Sequence, residues 1–389
     1  MSEKLFWENA YETKFTAKVI MSNDEGIVLD KTFFYPESGN QSSDRGYLTI
    51  RNLKFKVEKV SKEGEDIIHH ISSDIKNKIN VGDKAIGEID WEYRYGIMKA
   101  HTSQHIFSAV IKKRFNSDTI RANLDYEEVF LQISQKIDYK QLKEVLTEVN
   151  KICTSNNLKV KANIFSNKEV EKISKKIRNT IPDKPYVRLL EIEDLDLVCC
   201  GGTHIKNTIE IGNIYIYDFK KGTEIRYFIG NKALLMSSKN NVDLLNLANY
   251  LNSPLVKINE LINKRLELLE NIQEQQKDLS IKYLESILKW PLKEINDTPL
   301  FYINFNIDIR LLNKKMKDFP QNSLIIIKFE RKKIRILSLN ETIDSSELLD
   351  KLVEKYGGKG GGSSKSSQGY LENMPDNIIS EIETLILNN

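Results

Sequence analysis

The chain is poor in the residues that carry most metal and thiol chemistry, with only five histidines and three cysteines in 389 positions. Three cysteines, two of them adjacent (Cys199 and Cys200), cannot form a disulfide framework, so a reducing, cytoplasmic setting is expected. No apolar run approaches the ~18 residues of a membrane-spanning helix. No basic stretch precedes a hydrophobic segment at the N-terminus, so the chain is read as mature from Met1. Neither sign of charge dominates: 58 Lys and Arg face 55 Asp and Glu, a net charge of +3. Nucleic-acid contact, if any, must then come from local patches. The length leaves room for two or three domains.

Three of the five histidines and one of the three cysteines fall in two short segments. His101-Thr102-Ser103-Gln104-His105 puts two histidines four apart, on one face if the segment is helical. Cys200-Gly201-Gly202-Thr203-His204 offers a thiolate and a third imidazole on a loop whose glycines allow a sharp turn and close approach. His101, His105, Cys200 and His204 together suit tetrahedral zinc. Cys199 competes with Cys200 as the ligand. A strand alternates its faces, so one of the two should point inward; spacing favours Cys200, with Cys199 as buried filler. The segment lacks the glutamate of a His-Glu-x-x-His peptidase, and no Ser-His-Asp arrangement stands out.

Along the chain, residues 15–90 read as six short strands separated by turn residues: Phe15–Met21, Gly26–Asp30, Gly46–Ile50, Phe55–Val60, Ile67–Ile71 and Asp83–Ile89. A small β-barrel over 1–90 is expected, with His69 and His70 as structural residues in one strand. Residues 91–238 read as an α+β domain: a histidine helix over Trp91–Phe115, a strand at Val129–Ile133 and a helix over Tyr139–Cys153. A strand follows at Val160–Phe165, then a helix capped by Ser166 and Glu169 that carries Lys172, Lys175, Lys176 and Arg178. Leu189 to Cys199 leads into the metal loop, and Ile209–Phe219 and Ile225–Ile229 finish the sheet. Residues 239–292 read as helical, Val242–Trp290, with Pro254 opening the second helix. Leu255, Ile258, Ile262, Leu269, Ile272 and Leu279 form a heptad-like stripe there, fit for a helical hairpin or a dimer coiled coil. Residues 293–389 alternate strand and helix as an α/β domain. Within it, the stretch from Gly357 to Tyr370 is read as a Gly-rich loop whose freed N–H groups and lysines suit a phosphate.

The paired segments resemble the editing domain of alanyl-tRNA synthetase and its freestanding AlaX-type relatives; the threonyl-tRNA synthetase editing domain has a similar ligand pattern. Residues from Asp30 to Pro36 resemble the family's Asp-x-Thr-x-Phe-Tyr-Pro, followed by a Gly-rich motif with Gln41. Asn40 departs from it, standing where relatives usually carry glycine. Thr208-Ile209-Glu210-Ile211-Gly212 and Arg226 are similar to the family's continuation. The Gly-rich stretch resembles the C-terminal domain that alanyl-tRNA synthetase shares with DHH phosphoesterases, although the chain has no Asp-His-His motif.

The resemblance implies a freestanding, long-form, zinc-dependent hydrolase acting in trans on alanine tRNA mischarged with serine, with glycine as a further candidate. It implies Thr32 as the reader of the serine hydroxyl, since rejecting alanine needs a partner for that group. Gln41 and Gln104 would orient the aminoacyl end. Gly357, Gly358, Lys359, Gly360, Gly361, Gly362 and Lys365 would contact tRNA, unless that domain serves to dimerise the protein. The rival reading is a non-catalytic zinc protein that binds tRNA.

Overall fold

The computed structural model describes residues 2–23, 25–71, 79–305, 307–329 and 332–388. They form two compact units, Met1–Leu247 and Ala248–Asn389.

The first unit opens with a closed barrel. Its strands, in spatial order, are Lys14–Ser22, Ile27–Leu29, Asp66–Ile71, Leu53–Glu63, Gly46–Ile50 and Lys84–Ile89. Alternation drives it: in Lys14–Ser22, Phe15, Ala17 and Val19 are buried while the residues between them face outward. All six expected strands are present. A two-residue parallel ladder of Glu3–Lys4 with Lys31–Thr32, which no periodicity marks, ties down the N-terminal segment.

Helix α1 spans Trp91–Phe115, as the sequence predicts. The Asp90 carboxylate accepts from Tyr93 N at its start, and Asn116 ends it in the left-handed region. An unbroken buried run from Ala100 to Ile111 shows how deeply the helix lies. α2, Tyr139–Lys151, gives way to a π-turn over Ile152–Asn156, two residues before the expected end. α3, Asn167–Ile173, carries the expected box, with Ser166 N donating to Glu169. The expected basic face is shorter than the sequence suggests. Lys175 and Lys176 fall on a 3-10 turn, and Arg178 lies beyond it, paired with Asp196.

Two antiparallel sheets replace the single expected one. One is ordered Ile214–Lys220, Glu224–Ile229, Glu128–Ile133 and Thr119–Asp125; the other is Val160–Ser166, Tyr186–Ile192 and Asp196–Cys199. The stretch before the metal loop is thus a hairpin, turned at Asp194 with φ 56°. Residues Thr208–Ile211 form a 3-10 turn rather than strand, because Glu210 reaches back to Asn207 N and Gly212 adopts φ 73°. α4, Gly230–Tyr250, begins directly where the last strand ends, twelve residues ahead of the expected Val242.

In the second unit α5 covers Ile258–Lys289, entered through a 3-10 turn that Pro254 opens. Its stripe stays largely in solvent: Leu269, Ile272 and Leu279 are each at least half exposed. A six-stranded sheet follows, ordered Lys293–Ile295, Thr298–Ile303, Leu324–Phe329, Lys333–Ser338, Ser366–Leu371 and Gly358–Ser363. α6 (Ile309–Lys315), α7 (Ser345–Tyr356) and α8 (Ile378–Leu387) complete the unit.

The Gly-rich segment corrects the sequence reading. It is an edge strand, not a loop, paired with Ser366–Leu371 across six residue pairs. One of its glycines serves packing against α7, whereas a Cβ on Gly361 would meet nothing within 4 Å. A Cβ on Gly360 would sit 2.7 Å from Leu349 Cδ2 of α7, so only glycine lets the helix lie this close to the strand. The ladder takes up the backbone groups on one side of this edge strand, and Lys359 and Lys365 are exposed.

Candidate metal centre

The ligand atoms of His101, His105, Cys200 and His204 all lie within 4.8 Å of one another. α1 supplies the first two from one face, and their rings stack at 4.9 Å between centroids. The loop after Cys199 supplies the others. Cys200 Sγ lies 3.4 Å from His101 Nε2 and 3.3 Å from His204 Nε2. Cys200, not Cys199, therefore belongs to the cluster; Cys199 packs with Val187 and Leu189 on the other side.

The loop is held from both sides. Arg188 Nη1 donates to the carbonyls of Cys200 and Gly202, each at 2.9 Å, and Trp7 Nε1 donates to Gly201 O at 2.8 Å. Beyond His204, Glu210 accepts from Lys206 N, Asn207 N, Tyr11 Oη and Tyr95 Oη. Neither Arg188 nor Trp7 carries a sequence signal; Glu210 lies in a motif whose structural task could not be read.

Gln41 reaches the centre from the barrel loop. Its Oε1 accepts from Thr203 N at 3.1 Å and from His101 Nδ1 at 2.8 Å, and its Nε2 donates to Thr203 Oγ1. The backbone N–H fixes which end of the amide is oxygen, so His101 must carry its proton on Nδ1 and keep its Nε2 lone pair free. Asn40, before it, adopts φ 65°, the left-handed geometry that a glycine would otherwise supply. The buried pair Arg94–Asp44 fastens this loop to α1, with Arg94 Nε 2.6 Å from Asp44 Oδ1.

The other expected residues sit apart. Gln104 donates to Ser108 Oγ at 2.7 Å along α1. Thr32 is fully buried, with its Oγ1 accepting from Phe34 N and 2.9 Å from His69 Nε2. The His69 Nδ1 faces Ile27 O, so Nε2 is the acceptor and Thr32 the donor. His70 meets Ser61 within the barrel.

The donor set fits a metal on its own chemistry. Burial pushes His101 down to about 3, and holds His105 and His204 well below the usual imidazole range, so all three are neutral, as ligands must be. Burial pushes the Cys200 thiol up to about 11, a cost that a cation in the cluster would offset. His105 Nε2 is buried with no hydrogen-bond partner in the protein, an orphan of the kind that a bound ion satisfies.

Residues 3–93 match the family described as tRNA synthetases class II (A), and residues 187–226 match the threonyl and alanyl tRNA synthetase second additional domain. Over 97% of its length the chain is 32% identical to the alanyl-tRNA editing protein AlaX-L of Pyrococcus horikoshii, of which it covers 96%. It is 28% identical over 100% of its length to the alanine–tRNA ligase of Sulfurisphaera tokodaii, yet spans only 44% of that protein. With the alanine–tRNA ligase of Buchnera aphidicola it shares 27% identity over 90% of the chain and 42% of the ligase. The chain belongs to the AlaX-L family of alanyl-tRNA editing proteins.

Proposed function

We propose that the protein is a zinc-dependent hydrolase acting in trans on alanine tRNA charged with serine, and with glycine as a second substrate. The observation that carries this is the four-residue cluster, in a chain aligned nearly end to end with an editing protein. His101, His105, Cys200 and His204 would hold the ion; when bound, zinc supplies Lewis acidity toward an ester carbonyl. The chain's own part is to fix those ligands, through Gln41, Thr102 and Arg188, and to close the loop around them. Cys200→Ala should lose zinc and hydrolysis together, read as metal content and deacylation rate on the same sample. Full activity in a zinc-free variant would remove the metal from the chemistry.

Serine selection would fall to Thr32. Its hydroxyl donates to His69 and accepts from Phe34 N, which leaves one lone pair to accept a serine hydroxyl. Alanine would leave that site unpaired. Thr32→Val is expected to lower the serine-over-alanine deacylation ratio by about 10-fold or more, the loss of one hydrogen bond of roughly 1.5 kcal/mol. An unchanged ratio would leave Thr32 a structural residue. Gln104, bonded to Ser108, would need to turn toward the aminoacyl end to take part.

In the second unit, the exposed Lys359 and Lys365 on the hairpin of Gly358–Ser363 and Ser366–Leu371 would meet tRNA phosphates, and the exposed stripe of α5 would form a homodimer in the cytoplasm. A closed four-ligand shell also suits the second reading, a zinc protein that binds tRNA without cleaving it. Deacylation of Ser-, Gly- and Ala-charged alanine tRNA, with and without chelator, separates the two. Chelator-sensitive loss of serine with alanine spared is the expected outcome; equal persistence of all three esters would favour the binding protein.

A further inference from the structure

The three imidazoles of the cluster meet three different partners through their outer nitrogens. His101 Nδ1 faces an acceptor, Gln41 Oε1, at 2.8 Å. His204 Nδ1 faces Thr102 Oγ1 at 3.2 Å, and that hydroxyl spends its proton on Met98 O at 3.0 Å, so it too can only accept. Both rings are held with Nδ1 protonated and Nε2 bare, and both Nε2 atoms stand 3.3–3.4 Å from Cys200 Sγ. An acceptor behind a histidine raises its basicity as a ligand.

His105 is built the other way. Its Nδ1 faces Arg178 Nη2 at 3.4 Å, and a guanidinium has only donors. Arg178 is not free to turn, since Nε and Nη2 both bind the buried Asp196 carboxylate, at 2.7 and 2.8 Å. Each tautomer of His105 therefore leaves one nitrogen unsatisfied. With the proton on Nδ1, two donors oppose each other. With the proton on Nε2, the N–H is buried without a partner. Ring spacing agrees: His101 and His204 lie 4.3 Å apart, whereas His105 is 4.9 Å from one and 5.3 Å from the other.

We infer that His101, His204 and Cys200 are the permanent ligands of the ion and that His105 is the exchangeable fourth, disfavoured as a ligand by Arg178. This rests on the zinc reading above. Three protein ligands and one exchangeable position is the pattern of catalytic rather than structural zinc sites. On release the ring proton of His105 shifts from Nδ1, which faces Arg178, to Nε2, from where it can donate to the oxygen of an incoming ester. The site thus holds a four-ligand resting shell and a three-ligand working one.

Cobalt(II) titration of the full chain tests this without reference to activity. The wild type should bind one cobalt, with a thiolate charge-transfer band. His105→Asn should retain that band, with Kd raised by less than about 10-fold, and its ligand-field bands should shift on adding azide. His101→Asn and His204→Asn should weaken cobalt by more than about 100-fold, beyond the range of outer-sphere changes. In a chain that keeps His105, Arg178→Gln gives Nδ1 an oxygen to donate to. It should tighten cobalt and suppress any azide response of the wild type, with thermal melts confirming that each variant folds. Equal loss of cobalt in all three histidine variants, or no tightening in folded Arg178→Gln, would overturn the assignment of His105. Failure of the wild type to bind cobalt or zinc would instead overturn the metal reading itself.

Discussion

Gly202→Ala is expected to empty the metal centre, while Gly201→Ala, one residue away, leaves it intact. A Cβ on Gly202 would stand 2.2 Å from His101 Cε1, 2.4 Å from its Nδ1 and 2.6 Å from Gln41 Oε1. Neither side chain can retreat easily, nor can the loop. Gln41 is fixed by Thr203 N and Thr203 Oγ1, His101 is stacked on His105, and the Gly202 carbonyl is tied to Arg188. The alanine must therefore break the His101–Gln41 bond, displace the loop, or both. Overpacking of this kind costs about 1–3 kcal/mol in stability. The functional loss should be larger, because a shift of about 1 Å in a ligating group can lower a rate by about 100-fold. At Gly201 a Cβ meets nothing within 4 Å. Zinc content and deacylation of serine-charged tRNA, measured side by side on both variants, give the comparison. Full zinc occupancy and rate in Gly202→Ala would mean that the loop has slack which these contacts do not reveal.

The pair of glycines illustrates what a sequence discloses. Cys200-Gly-Gly-Thr-His204 announces a tight turn, but not which glycine meets the histidine helix. The four clustered residues were legible because histidine and cysteine are scarce here and two of the histidines stand four apart on α1. α1 was read to its ends, Trp91 and Phe115, and the structure closes it there with local caps, Asp90 and Asn116. Most of the barrel strands were legible because they alternate buried and exposed residues, as Lys14–Ser22 does, although Ile27–Leu29 is buried throughout. What stayed hidden depends on contacts between segments distant in the chain. Gln41 was expected to handle the aminoacyl end, yet it stands behind His101, sixty residues on. The Gly357–Gly362 stretch was read as a loop because glycine disfavours strands, and packing against Leu349 overrode that preference. α4 started early because nothing in the sequence separates the end of the strand at Ile229 from the helix formers after Gly230.

Arg94 is the residue of this kind with the largest consequence, and its replacement should be the most destabilising single change in the first unit. Its side chain is fully buried and binds Ala10, Phe33 and Asp44 at once. The guanidinium binds both oxygens of Asp44, which is itself 1% exposed, and donates to Ala10 O and Phe33 O. Asp44 also accepts from Tyr35 N. Arg94→Met leaves the carboxylate buried and uncompensated, a change that typically costs about 3–5 kcal/mol, against a total domain stability of about 5–15 kcal/mol. Arg94→Lys should rescue little, because an ammonium cannot reproduce the planar fork. The double replacement Arg94→Met with Asp44→Leu removes both charges, so it should be less destabilised than Arg94→Met alone. Urea unfolding followed by tryptophan fluorescence suits the test, since Trp7 and Trp91 both lie in this unit. A loss below about 1 kcal/mol in Arg94→Met would be the value of an exposed ion pair and would contradict the burial argument. The consequence reaches the candidate metal centre. Asp44 lies three residues after Gln41, and Arg94 seven before His101 on α1. The ion pair therefore sets the distance over which Gln41 holds the histidine, and variants that still fold should bind zinc more weakly than their stability alone accounts for.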